Sequence, residues 1–187
     1  MKITTYSVQG FYAAAEGARL SYGGTSLDKL DSDLSTDTLG YADLKLLSKL
    51  IQRGDSHAKA MRMVDVKFRI VANTKFFMQL DQYKVDTVSL STSTMHTIMK
   101  RELTQQDFST PVERKYLEYL YFLQRGKEFK LLIDSLPMSY LYTRVMKLNY
   151  QTLRNIYLDR KGHRYDYWEE FLSWVDTLPH SRELISV

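Results

Sequence analysis

The chain has 187 residues, of which 44% are apolar and 26% charged, with a net charge of +4. This composition supports a real core and excludes global disorder, and the length suits one domain spanning 1–187. No cysteine is present, which excludes disulfides, thiol nucleophiles and cysteine-type zinc sites. No apolar run approaches the roughly 20 residues of a membrane span.

Residues Ile3 to Val8 are expected to form a short strand. Tyr12 to Tyr22 follows as a helix rich in small residues, which Gly23-Gly24 would stop. Residues 25–38 are polar and predict a loop or a helical turn. From Asp43 to Ile51 the apolar positions 44, 47, 50 and 51 mark one face of a helix, and Gly54 ends it. Val64 to Ile70 alternates apolar and polar without a break, so Val64, Val66, Phe68 and Ile70 share one strand face. Ala72 to Leu80 reads as a helix. Val85 to Thr97, rich in Ser, Thr and β-branched residues, reads as extended or looping. Helices are then expected over Pro111–Gln124, Lys127–Leu136, Met138–Arg160 and Tyr165–Leu178, punctuated by Gly126, Pro137, Gly162 and Pro179. The result is an α+β class with helices on a small sheet.

The N-terminus lacks the apolar core of a signal peptide, and a cytoplasmic location is expected. The basic residues are not gathered into a tract, so neither nucleic acid nor membrane is expected as a partner. His57, His96, His163 and His180 have no metal-ligand spacing, and no metal site is expected. No general base stands at a diagnostic spacing from the hydroxyls of 87–97, so no catalytic serine is nominated. The 14 tyrosines suit half-wet surfaces as well as core edges. The sets Tyr116, Tyr119, Tyr121, Phe122 and Tyr165, Tyr167, Trp168, Phe171, Trp174 are read as core or subunit packing.

One stretch carries more information: Asn149-Tyr150-Gln151-Thr152-Leu153-Arg154-Asn155-Ile156-Tyr157-Leu158-Asp159-Arg160. It resembles the C-terminal signature N-x-R-x-L-x-N-F-L-x-L-R of the flavin-dependent thymidylate synthases, with Gln151 where that pattern has arginine. Ala14 to Tyr22 is similar to the same family's A-A-R-x-C/S-Y. Asp43 to Ile70 is similar to its helix, glycine and strand ending in F-R-I. The family's R-H-R-x-x-S-x-N-E-x-S-x-R-Y motif follows a glutamine, here Gln79, and falls on 82–95. There Lys84 stands for arginine, and Thr87 and Thr92 for serines. Gln82, Tyr83, Leu90 and Thr94 replace arginine, histidine, glutamate and arginine.

The resemblance implies a protein that makes dTMP from dUMP with FAD, methylenetetrahydrofolate and NADPH. It implies a homotetramer with sites built across subunits. It places His57, Gln82, Tyr83, Lys84, Asn149 and Asn155 at the cofactor. It places Gln79, Lys84, Ser91, Thr92, Thr94 and Arg160 at the pyrimidine nucleotide. Other readings stay open: Arg160 as a surface cation, the two asparagines as helix–helix hydrogen bonders, Gln79 as a helix cap. The motif's lost arginines cost the bidentate phosphate grip that guanidinium groups provide. Arg19, Arg62 or Arg154 would then hold phosphates, or the hydroxyls and N–H groups of 91–94 would. A relative that binds pyrimidine nucleotides and has lost flavin chemistry is the alternative.

Overall fold

The computed structural model describes residues 1–21 and 24–187. Four strands form one antiparallel sheet in the order β1-β2-β4-β3. They are β1 Lys2–Gln9, β2 Asp65–Asn73, β3 Val88–Ser91 and β4 Leu141–Asn149. The alternation in β2 does what it predicts: Val64, Val66, Phe68, Ile70 and Ala72 are all fully buried on one face. Met146 and Leu148 of β4, opposite Phe68 and Val66, extend that face. On the other face Lys67, Arg69 and Val145 are exposed.

Helices α1 Phe11–Leu20, α2 Tyr41–Gln52, α3 Thr74–Leu80, α7 Tyr150–Arg160 and α8 Tyr167–Val175 bury their apolar sides in one main core. α2 buries Leu47, Leu50 and Ile51 as its spacing requires. A smaller core gathers Ile98, Leu103, Leu120, Leu123 and Leu132 around α5 Arg114–Arg125 and α6 Phe129–Asp134. Short helices α4 Thr94–Thr97 and α9 Ser181–Leu184 complete the set. The expected stop at Gly23 lies outside the described residues.

Two expectations are corrected. The helix predicted to start at Ala72 starts at Thr74, because β2 runs on to Asn73. The helix predicted from Met138 to Arg160 is a strand and then a helix: β4 ends at Asn149 and α7 begins at Tyr150. Both junctions are built alike. Asn73 is extended and its side chain accepts from the Phe76 N–H at 2.9 Å. Asn149 is extended and accepts from the Thr152 N–H at 2.8 Å. Each satisfies one of the donors a helix start leaves free.

The turn from β1 to α1 is pressed against the 3-10 turn Ala58–Met63. Gly10 has φ +105°, and a Cβ there would lie 1.9 Å from the Met63 carbonyl oxygen. Asp37 fastens the turn by accepting from the Gly10 and Tyr12 N–H groups at 2.6 and 2.8 Å.

Candidate functional site

α3, its following turn, α7 and α8 meet in a polar cluster around a buried tryptophan. Gln79 at the end of α3 accepts from the Trp168 indole N–H at 2.6 Å. Arg160, the last residue of α7, lies 4.8 Å over the Trp168 ring and 5.5 Å from that of Tyr83. Its Nε donates to the Tyr83 hydroxyl at 2.9 Å and its terminal nitrogen to Gln82 Oε1 at 3.4 Å. Tyr83 in turn donates to Asp159 at 3.2 Å. Burial pushes the Tyr83 hydroxyl above its ordinary value, and the Arg160 guanidinium pulls part of the way back. Arg160 forms no ion pair among the described residues. It opens onto a cavity of about 380 Å3 also lined by Lys161, His163, Glu169 and Asp176. Four predicted residues, Gln79, Gln82, Tyr83 and Arg160, are therefore brought together.

His57 is elsewhere. It lines a groove of about 670 Å3 between α1, the end of α2 and the turn Ala58–Met63. The floor is small and apolar, with Ala13, Gly17, Ala18, Leu50, Ala60 and Met63. Lys59 and Arg62 give the same groove cationic side chains, and His57 adds an imidazole. This donor set suits a flat ring system carrying an anionic tail.

Asn149 and Asn155 belong to a third group. Asn149 is fully buried; besides its cap, its amide nitrogen is 3.4 Å from Asp86. Gln151 is also buried and donates to Asp55 at 3.1 Å and to Asn155 at 3.2 Å, while its own oxygen has no partner among the described residues. Lys147 sits between Asp86 at 2.7 Å and Asp65 at 3.4 Å. The Lys147 ammonium holds the Asp86 carboxyl below its ordinary value.

The remaining predicted residues lie along the edge of the sheet. Lys84 is exposed in the turn before β3. Ser91 ends β3, and its hydroxyl reaches only the next carbonyl, at 3.2 Å. Thr92 binds the Thr143 carbonyl through both its N–H, at 2.9 Å, and its hydroxyl, at 3.0 Å. Thr94 is the first residue of α4. Thr92 also lines a third cavity, of about 310 Å3, with Arg101, Asp107 and Tyr140. Thus the hydroxyls of Ser91 and Thr92 are engaged with backbone, and the three cavities share no lining residue.

The arginines considered for phosphates divide as well. Arg19 is buried in an ion pair with Asp43, and Arg154 reaches the Val187 carbonyl at 3.1 Å. Of the three, Arg62 lines the groove beside His57. Two residues emerge that the sequence reading did not nominate. Arg144 on β4 makes a bidentate pair with Asp81 at 2.6 and 3.2 Å and lies 4.0 Å over the Phe77 ring. Trp168, read as packing, is buried yet spends its one polar atom on Gln79. The need of a buried indole N–H for an acceptor is the signal that would have found it. Among the described residues no group of His, Asp and Glu is placed to hold a metal, and no helix is long and apolar enough to cross a membrane.

No family model and no curated protein matches the sequence. Solved structures do. The flavin-dependent thymidylate synthase ThyX from Helicobacter pylori, complexed with FAD and dUMP, matches with a TM-score of 0.79 and 17% identity over 98% of this chain and 98% of that one. A second structure of the H. pylori protein with FAD and dUMP gives 0.78 and 15%, over 99% and 97%. The UMP/dUMP methylase PolB from Streptomyces cacaoi, bound with 5-Br dUMP, gives 0.64 and 13%, over 98% and 93%. At such identities the likeness shows the fold: this chain has the architecture of the flavin-dependent thymidylate synthases.

Proposed function

We propose that this chain binds a uracil nucleotide and reductively methylates dUMP to dTMP with FAD, methylenetetrahydrofolate and NADPH. The observation that carries the nucleotide reading is Arg160. Its guanidinium is held in place by two neutral oxygens and an aromatic face, and among the described residues no carboxylate lies within ion-pair distance of it. A fixed, unpaired guanidinium is suited to a carbonyl oxygen of the base. There it stabilises negative charge that develops on that oxygen when the ring is attacked. Gln79 and Gln82 would orient the ring beside it, and Lys84 is the cation available from the degenerate motif.

The groove at His57 fits the flavin dinucleotide by its chemistry, an apolar floor with Lys59 and Arg62 as cations and the His57 imidazole beside them. When bound, FAD supplies the hydride for reductive methylation. His57, Lys59 and Arg62 would hold its anionic part, and Ala13, Ala18 and Met63 would exclude water from its rings. Since His57 and Arg160 line separate cavities, a complete site calls for more than one copy. We assign the active form to a homo-oligomer, with a tetramer expected.

A second reading is favoured by one observation. Gln151 occupies the position that the resemblance gives to an arginine, and it bonds inward to Asp55 and Asn155. With Asn149 spent on its cap and on Asp86, the donors of these amides are engaged within the chain rather than with a flavin. On that reading the chain binds a pyrimidine nucleotide without redox chemistry. An absorbance spectrum of the purified protein, taken after adding FAD and filtering out free ligand, separates the two. Retained flavin together with dTMP formation supports the methylase. A colourless protein that binds dUMP supports the second reading, and a protein that binds neither refutes both.

A further inference from the structure

The cavity of about 310 Å3 that Thr92 lines lies between the sheet and the smaller core. Val71 and Leu141 reach it from β2 and β4, and Ile98 and Leu103 from the segment after α4. Tyr140, the residue before β4, lines it too. Tyr140 is only 8% exposed, its ring set edge-on to Phe108 at 5.9 Å and Tyr142 at 5.1 Å between centroids. Other tyrosine hydroxyls find acceptors within the chain. Tyr150 donates to the Pro179 carbonyl at 2.6 Å, Tyr165 to Asn73 at 2.9 Å, and Tyr116 to the Ser135 carbonyl. The Tyr140 hydroxyl makes no hydrogen bond among the described residues, and it is not sealed inside the protein. What it reaches is the cavity. A buried hydroxyl without a partner is costly, so a group in that space is called for. Burial pushes this hydroxyl above its ordinary value, and the Asp107 carboxylate pushes the same way. It therefore stays protonated at neutral pH, able to donate and to accept.

The charges around this cavity cancel. Asp107 accepts from both terminal nitrogens of Arg101, a bidentate pair, and the other residues lining the cavity are uncharged. A phosphate would meet no net positive charge here, in contrast to the groove at Lys59 and Arg62. Polar contacts are nonetheless on offer. Arg101 gives Nη1 to the Glu102 carbonyl and to Asp107 and one Nη2 hydrogen to Asp107, which leaves its Nε–H and one further N–H as donors. Thr92 and Thr97 donate to the carbonyls of Thr143 and Ser93, so their oxygens can still accept. We propose that this cavity is a ligand site of its own, for an uncharged nucleoside. Its ring would lie between the aliphatic walls from the sheet and from the segment after α4, with its carbonyl and hydroxyl groups on Tyr140 and Arg101. The volume is at the lower end of ligand pockets, which run from about 300 to 1,000 Å3. That admits a nucleoside and is too small for a dinucleotide cofactor. The inference concerns different residues and a ligand of different charge from the nucleotide reading above, and it stands or falls without it.

The test is made in the full chain carrying Arg160→Ala, which removes the cation of the proposed nucleotide site. Deoxyuridine, deoxyadenosine and dUMP are titrated by calorimetry into that variant and into the same variant with Tyr140→Phe added. At least one nucleoside is expected to bind Arg160→Ala, and to bind it more tightly than dUMP does. Adding Tyr140→Phe should weaken that nucleoside by about three- to tenfold, the order of one neutral hydrogen bond. Tyr140→Phe alone should keep the wild-type thermal midpoint, because the hydroxyl has no partner in the free chain to lose. No nucleoside binding to Arg160→Ala overturns the inference and leaves the cavity to water. Equal nucleoside binding with and without the Tyr140 hydroxyl places the ligand elsewhere and also overturns it. So does dUMP binding as tightly as either nucleoside, since the site would then be reading phosphate. A lowered midpoint for Tyr140→Phe refutes the premise that the hydroxyl is unpaired. None of these outcomes touches the nucleotide reading, which fails on its own terms if the wild type does not bind dUMP.

Discussion

Arg160 and Asp86 are both held by neighbours, with opposite consequences. Arg160 has only neutral partners, so its charge remains for a ligand. Arg160→Ala should weaken dUMP binding by about 1–3 kcal/mol, the usual loss for a charged hydrogen bond, and calorimetry would show it. Asp86 is bound by Lys147 and its charge is spent on the fold. Its carboxyl is held below the ordinary aspartate value of 3.8, with the Lys147 hydrogen bond as the largest lowering cause. A depressed folded value means stabilisation that is fully present above the unfolded value and is lost as pH falls through the folded one. Asp86 is close to half exposed, which makes the effect small. Urea unfolding of wild type and Asp86→Asn should differ at neutral pH and converge on acidification below about 3.8. A gap that persists in acid would assign Asp86 another role.

The strand–helix junctions are where sequence and structure part. β2 is legible because its apolar and polar residues alternate cleanly. β4 is not, because Arg144 sits on the same face as Met146 and Leu148, breaking the alternation. Its neighbours Leu141, Val145 and Leu148 recur at helical spacing instead. What allows an arginine on that face is the Asp81 carboxylate and the Phe77 ring, both distant in sequence. The same misreading puts Asn149 inside a helix, when it caps one. Asn149→Ala should cost about 1–2 kcal/mol of stability and Asn149→Ser much less, because a hydroxyl oxygen can also cap. Chemical denaturation separates this from a purely ligand-facing role, which would leave stability unchanged. The β1–α1 turn gives a sharper element-scale outcome. Gly10→Ala must strain a positive φ and push against the Met63 carbonyl. It should destabilise by about 2 kcal/mol or more and disturb the His57 groove.

At the scale of the whole molecule, much of the candidate site was legible and its assembly was not. Gln79, Gln82, Tyr83 and Arg160 are spread over 82 positions of sequence, from 79 to 160, and the fold gathers them. His57 and Thr92 line other cavities, since α1 and the sheet edge lie outside the α3–α7–α8 meeting point. Residue patterns reveal which side chains matter more readily than which copy of the chain supplies them. If a complete site draws on several copies, two defective variants should repair each other. Refolding Arg160→Ala together with His57→Ala should restore part of the dTMP-forming activity that each lacks alone. No recovery in mixed assemblies would place both residues in a site within one chain.

The tryptophan beneath Arg160 has a practical consequence. The chain contains two tryptophans, and the other, Trp174, donates to Thr5 at 3.0 Å and packs 4.6 Å from Phe68. Replacing Trp174 by Phe leaves a single emitter, sealed in the core with a guanidinium on its face. Occupation of the neighbouring donors would then register as a change in the colour and brightness of that one ring, and the protein would report its own ligand without a label.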